Sequence, residues 1–230
     1  MPKPGHRIKR MNLVLRFGIH SGVVPVEKIK QDIVEKRPHI YVPEYAPFDV
    51  DPERHEKLFE KGKIFQGENL PMREFAEAEA KAVAEHGLPV RIIPPPEGYV
   101  RLRDEDVKHF MGSIKSFSVG RLNQAIDLLA KDIRIRAKLD SMFDAKRLEV
   151  LKNFRQTILP KVLKRNPELA DAEELNVLMH LGLGHRKLYH DLKGIDGLNV
   201  RKVFSKGLYT FNSRDELVER IRFKNFQLDL

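Results

Sequence analysis

The chain has 230 residues, 41% of them hydrophobic, enough to bury a core, and no cysteine, which excludes disulfides, thiolate metal sites and cysteine nucleophiles together. No apolar run approaches the roughly 20 residues that a membrane-spanning helix needs, so the expectation is an intracellular protein, of the mitochondrial matrix or the cytoplasm, without membrane insertion. The formal charge of +9 is unevenly held: residues 1–111 carry 19 Lys and Arg against 18 Asp and Glu, residues 112–230 carry 23 against 15.

Residues 1–24 read as a basic arm or targeting segment. The first acid is Glu27, while Lys3, Arg7, Lys9, Arg10 and Arg16 are basic and Ile8, Met11, Leu15 and Ile19 recur at helical spacing. Residues 25–98 read as short helices strung between extended, proline-rich segments. Pro25 opens a helix with Val26, Ile29 and Ile33 on one stripe, and Pro38 forbids its continuation. The prolines at 38, 43 and 47 predict extended chain over 37–50. Asp51-Pro52 is an N-cap followed by a first-turn proline, and Gly62 ends a helix over 52–61. Pro71 and Gly87 bracket a helix over 71–86 whose sizeable apolar groups are only Met72, Phe75 and Val83, which predicts a largely solvated helix. Pro94-Pro95-Pro96 marks a soft boundary.

Residues 99–170 read as a basic helical body. Leu122, Ile126, Leu129 and Ile133 form one stripe of a helix over 120–139 and Leu128, Ile135 and Leu139 another, predicting burial over a wide face. A second helix over 145–165, interrupted by Pro160, would pair with the first through a turn at 140–144. Residues 171–230 read as a small α+β unit of winged-helix type. It comprises helices over 172–181 and 185–192, a hairpin from 200–204 through Ser205-Lys206-Gly207 to 208–211, and a capping box at Ser213–Glu216 opening a last helix. The fold class is thus mainly α: a helical body with extended Pro-rich N-terminal segments and a winged-helix-like end.

Within residues 121–165 lie 12 basic and 5 acidic side chains, a localised excess that attracts a polyanion. The stretch around Gly182 resembles a helix-turn-helix. Val177, Leu181, Leu183 and Leu188 stand at the positions of buried apolar groups, although Leu178 and Asp191 depart from the pattern. Candidate nucleic-acid contacts are Arg134, Lys138, Lys152 and Arg155 on the body, Arg186 and Lys187 on the second helix, and Arg201 and Lys202 on the wing. His180, His185 and His190 do not share a helix face, so they read as surface or capping histidines and no metal is expected. The glycine pairs at 182/184 and 194/197 match no phosphate loop, and no catalytic arrangement or cofactor motif is evident.

The function expected from these features is a non-catalytic component of a ribonucleoprotein assembly, such as an organellar ribosome, with RNA as partner beside other protein subunits. The alternatives are a winged-helix-like DNA-binding protein and an enzyme, or enzyme subunit, whose site is assembled from scattered residues.

Overall fold

Met11, Leu13, Leu15 and Phe17 alternate with Asn12, Val14 and Arg16, a period of two that sends the first set to one face of a strand, and all four are almost fully buried. This is β1 (Arg10–Gly18), in a computed structural model that describes residues 8–18, 26–44, 51–65, 73–182 and 185–204. The helical spacing read from Ile8, Met11 and Leu15 is corrected here: alternation over 11–17 accounts for more buried side chains than the helical stripe does.

β1 pairs in parallel with β3 (Glu174–Gly182) along its full length and, on its other side, with β4 (Leu198–Phe204). The short β2 (Ile40–Val42) flanks β3, so the four strands are all parallel in the order β2-β3-β1-β4. The strand order draws on both sides of Pro94–Pro96.

β3 overturns the helix expected over 172–181. Leu175, Val177, Met179 and Leu181 face one layer and Leu178 and His180 the other, all buried. A strand buried on both faces reads as a nearly continuous apolar run, which periodicity does not separate from a buried helix. With the first helix of the proposed pair replaced by a strand, the helix-turn-helix around Gly182 is not formed. β4 runs parallel to β1. The expected second arm at 208–211 and the capping box at 213–216 lie outside the described residues.

The sheet is sandwiched. One face holds the larger core, where Leu13, Leu15, Phe17, Val177, Met179 and Leu181 meet Val150, Leu151, Phe154, Ile158, Val162, Leu188 and Leu192. These come from the end of α5 (Leu122–Lys152), α6 (Phe154–Thr157), α7 (Leu159–Arg165) and α8 (Arg186–Leu192). The other face packs Tyr41 and Leu178 against Ile29 and Ile33 of α1 (Val26–Lys36), Phe59 of α2 (Pro52–Phe59) and Ala76, Ala80, Ala82 and Val83 of α3 (Arg73–Glu85).

The cap at α2 forms as expected, with the Asp51 carboxylate accepting from the Glu53 and Arg54 amides at 3.4 and 3.1 Å. α3 is not the solvated helix its composition suggested: its alanines let the backbone approach closely, and small side chains fill the layer.

The long helices differ from expectation too. α4 (Tyr99–Ser118) pairs with α5 as an antiparallel hairpin, and α5 runs unbroken through 140–144, where neither Gly nor Pro interrupts it. The expected interruption near Pro160 falls at Asn153–Ile158, with Pro160 in the first turn of α7. The stripe Leu122, Ile126, Leu129 and Ile133, expected in a core, is exposed. No helix among the described residues is long and apolar enough to cross a membrane.

The connections fix where the two faces diverge. From β1 the chain passes through α1 to β2, across the face of β3; from β3 it passes through α8 to β4, across the opposite face of β1. Neighbouring parallel strands whose connections leave in opposite directions form a topological switch point, and ligands of open α/β sheets bind at the carboxyl ends of such strands. Here those ends are Gly18 and Gly182, in register with each other.

Candidate functional site at the carboxyl edge of the sheet

Charged side chains gather at this edge. Glu44, two residues past β2, accepts a hydrogen bond from the Gly182 amide at the end of β3. Its other carboxylate oxygen lies 2.9 Å from His185 Nε2. His185 Nδ1 lies 2.8 Å from Asp144 Oδ1 on α5. Arg147, one turn further along α5, donates to Asp144 Oδ1 at 3.2 Å and to the Glu44 backbone carbonyl at 3.2 Å. Its guanidinium lies 4.3 Å from the Phe143 ring centroid, and Phe143 in turn meets Tyr99 edge-on. Asp140, a turn before Asp144, stands 4.0 Å from His185 Nε2. Asp140, Asp144 and Arg147 thus occupy one face of one helix at i, i+4 and i+7.

Burial sorts these groups. Arg147 is 2% exposed and His185 7%, whereas half of the Asp140 side chain reaches solvent and gives the cluster its open side. Burial alone would strip the proton from His185, but hydrogen bonds to Asp144 and Glu44 outweigh it and raise its pKa to about 9. At neutral pH the ring is an imidazolium donating from both nitrogens. Burial lowers the Arg147 pKa, opposed by Glu44 and Asp144. Burial raises the Asp140 carboxyl, with the neighbouring Asp144 and Glu44 adding to the effect and His185 opposing it.

The opposite face of the same edge is polar as well. Arg16 of β1 pairs with Asp32 of α1, and Tyr41 of β2 donates to Glu79 of α3, whose carboxylate lies 3.5 Å from His180 Nδ1 of β3. Arg16, His180 and Tyr41 are all within two residues of the carboxyl end of their strands. Burial, with Glu79 beside it, raises the Tyr41 phenol. Buried ionisable groups on both faces of one strand edge are the concentration expected at a functional site.

At the amino end of the sheet, amides bridge the strands: Asn12 donates to Asn176 and accepts from Asn199, beside a shallow groove of about 450 Å³.

The basic residues singled out from sequence are all exposed but dispersed. Arg134 and Lys138 lie on the outer part of α5, and Lys152, 18 residues beyond Arg134, is about 27 Å away along the helix axis. Arg155 donates to the Lys9 carbonyl at 2.7 Å and stacks on Phe154. Arg186 and Lys187 open α8 at the charged edge. Arg201 lines the amide groove, while Lys202, next in β4 and so on the other face, lies over the Tyr189 ring at 4.7 Å. No single surface unites the eight.

Of the three histidines, His185 joins the cluster, His180 is buried on the opposite face, and His190 is exposed against Tyr189. No group of three or more His, Asp or Glu among the described residues is arranged to hold a metal ion. Compared with protein-family models, curated proteins and solved structures, the chain matches none.

Glu44, Asp140, Asp144 and Arg147 escaped the sequence reading. The available signal was the helical spacing of 140, 144 and 147, which a turn assigned to 140–144 conceals.

Proposed function

We propose that the protein is an enzyme performing acid–base chemistry on a small polar substrate at the carboxyl edge of its sheet. The observation that carries this is His185 held between Asp144 and Glu44 beside the switch point. Asp144 fixes the ring through Nδ1, leaving the Nε2 proton directed at Glu44. A substrate oxygen that replaces Glu44 at Nε2 takes that proton, and the released carboxylate accepts one from the substrate or from water, so one pair supplies acid and base. Arg147 is a positioning residue: it holds the Asp144 carboxylate and the Glu44 backbone from a buried site.

The test is turnover of a panel of small esters, amides and phosphoesters by the wild type, His185→Gln and Glu44→Gln, each confirmed folded by circular dichroism. Turnover by the wild type, lost in both variants, is the expected result. No turnover of any class, or turnover unchanged in both variants, overturns it.

A second reading, an RNA-associated component of a larger assembly, draws on the exposure of Arg134, Lys138, Lys152, Arg155, Arg186, Lys187, Arg201 and Lys202.

A further inference from the structure

The α4–α5 hairpin is built with its small residues inside and its large apolar residues outside. Between the helices lie Ser113 and Ser116 of α4 and Ala125 of α5, and a Cβ added to Gly112 would come within 3.2 Å of Leu128 Cδ1. Outside, Val107, Phe110, Ile114 and Phe117 of α4 and Leu122, Ile126, Leu129 and Ile133 of α5 are each 40% to 69% exposed.

Both sets lie on one face. Ile114 and Phe117 each follow a buried interface residue, Ser113 and Ser116, by one position, and Ile126 and Ile133 follow the buried Ala125 and Asp132 in the same way. One residue advances about 100° around a helix. Because the helices are antiparallel, that rotation turns both outer stripes toward the same side of the hairpin.

We propose that this face is a dimer interface, on which a second copy of the chain lays the same hairpin to form a four-helix bundle. The spacing names a helical occupant: 107, 110, 114 and 117 advance by three, four and three, and 122, 126, 129 and 133 by four, three and four, the a/d steps of a helical seam. The area suits a protein partner. The eight exposed side chains present on the order of 800 Å² of surface, beyond the largest patch of an ordinary monomer and comparable with the roughly 800 Å² that each partner buries in a stable interface.

A second copy covers the face with no further component: a two-fold axis in the interface, crossing the hairpin's length, lays each apolar seam antiparallel on the identical seam of its partner, a self-complementary arrangement that buries an area of the size a stable dimer needs.

Sedimentation equilibrium of the full chain tests this. The expected species has twice the monomer mass of 26.7 kDa. Ile114→Glu with Ile126→Glu should give a monomer of unchanged helix content, since both side chains are already half-exposed. Leu129→Glu with Ile133→Glu should do the same. A wild-type monomer at roughly 100 µM, where even a weak interface of standard size is populated, overturns the proposal. So does a dimer that survives the Ile114/Ile126 double change, or a monomer that floats with phosphatidylcholine vesicles, which would assign the face to lipid.

Discussion

Asp144 Oδ1 lies 2.8 Å from His185 Nδ1, a contact that ties α5, the longest helix among the described residues, to the residue leading into α8. The same helix carries the exposed seam: Ile133 and Asp144 are eleven residues, about 16 Å, apart along α5. The exposed seam and the charged cluster thus share one helix.

The contact makes stability depend on pH in a definite direction. His185 has a folded pKa of about 9 against an ordinary 6.5, so its contribution is fully present below pH 6.5 and is lost as pH rises through 9. The shift corresponds to on the order of 3 kcal/mol. Urea unfolding at pH 6.5 and pH 10 should show the wild type losing more stability between the two than His185→Gln. Equal losses would mean that the imidazole is not held by Asp144 and Glu44.

Arg147 should be the least replaceable member of the cluster. Arg147→Met removes one partner of a buried ion pair and should cost about 3–5 kcal/mol, read from the urea midpoint at constant m. Arg147→Lys should recover little, because one ammonium cannot reproduce the fork joining Asp144 to the Glu44 carbonyl or the stacking on Phe143. Because Arg147 lowers the His185 pKa, the Met variant should also titrate that histidine at higher pH, visible by NMR.

Two glycines with the same backbone angle should respond differently. Gly98 and Gly197 both have φ of 77°, so either Gly→Ala change costs about 1 kcal/mol in a left-handed conformation. At Gly98 a Cβ meets nothing within 4 Å, whereas at Gly197 it would lie 3.2 Å from the Lys9 carbonyl, beside the bond from the Met11 amide that starts β1. Gly197→Ala should therefore lower the melting temperature clearly more than Gly98→Ala. Equal effects would show that the Lys9 segment yields freely.

Local chemistry was legible in the sequence and long-range pairing was not. Asp51-Pro52 announces α2 because cap and proline act within three residues. β1 and β3 were hidden because Met11 and Leu15 also fit a helix, and because a strand buried on both faces loses its alternation. Leu122, Ile126, Leu129 and Ile133 revealed a helix with an apolar stripe, but periodicity states that a face is apolar and not whether anything covers it. The site was illegible for a related reason: Glu44, Asp144 and His185 are brought together by the strand order, which no local pattern encodes.

The dispersion of the basic residues shapes the test of the RNA reading. If phosphate contacts hold RNA, affinity should fall log-linearly with salt, the slope shrinking by roughly 0.7–0.9 for each contact removed. Arg134→Glu with Lys138→Glu and, separately, Lys152→Glu act at places about 27 Å apart along α5, so their effects on the slope should add. Arg155 is a poor choice for reversal, because it also latches the Lys9 carbonyl at the head of β1. Arg186→Ala with Lys187→Ala should weaken all sequences alike, since the recognition-helix geometry that would read bases is not formed. A slope unchanged by every one of these substitutions would remove RNA from consideration at these surfaces and leave the charged edge of the sheet as the place where the protein acts.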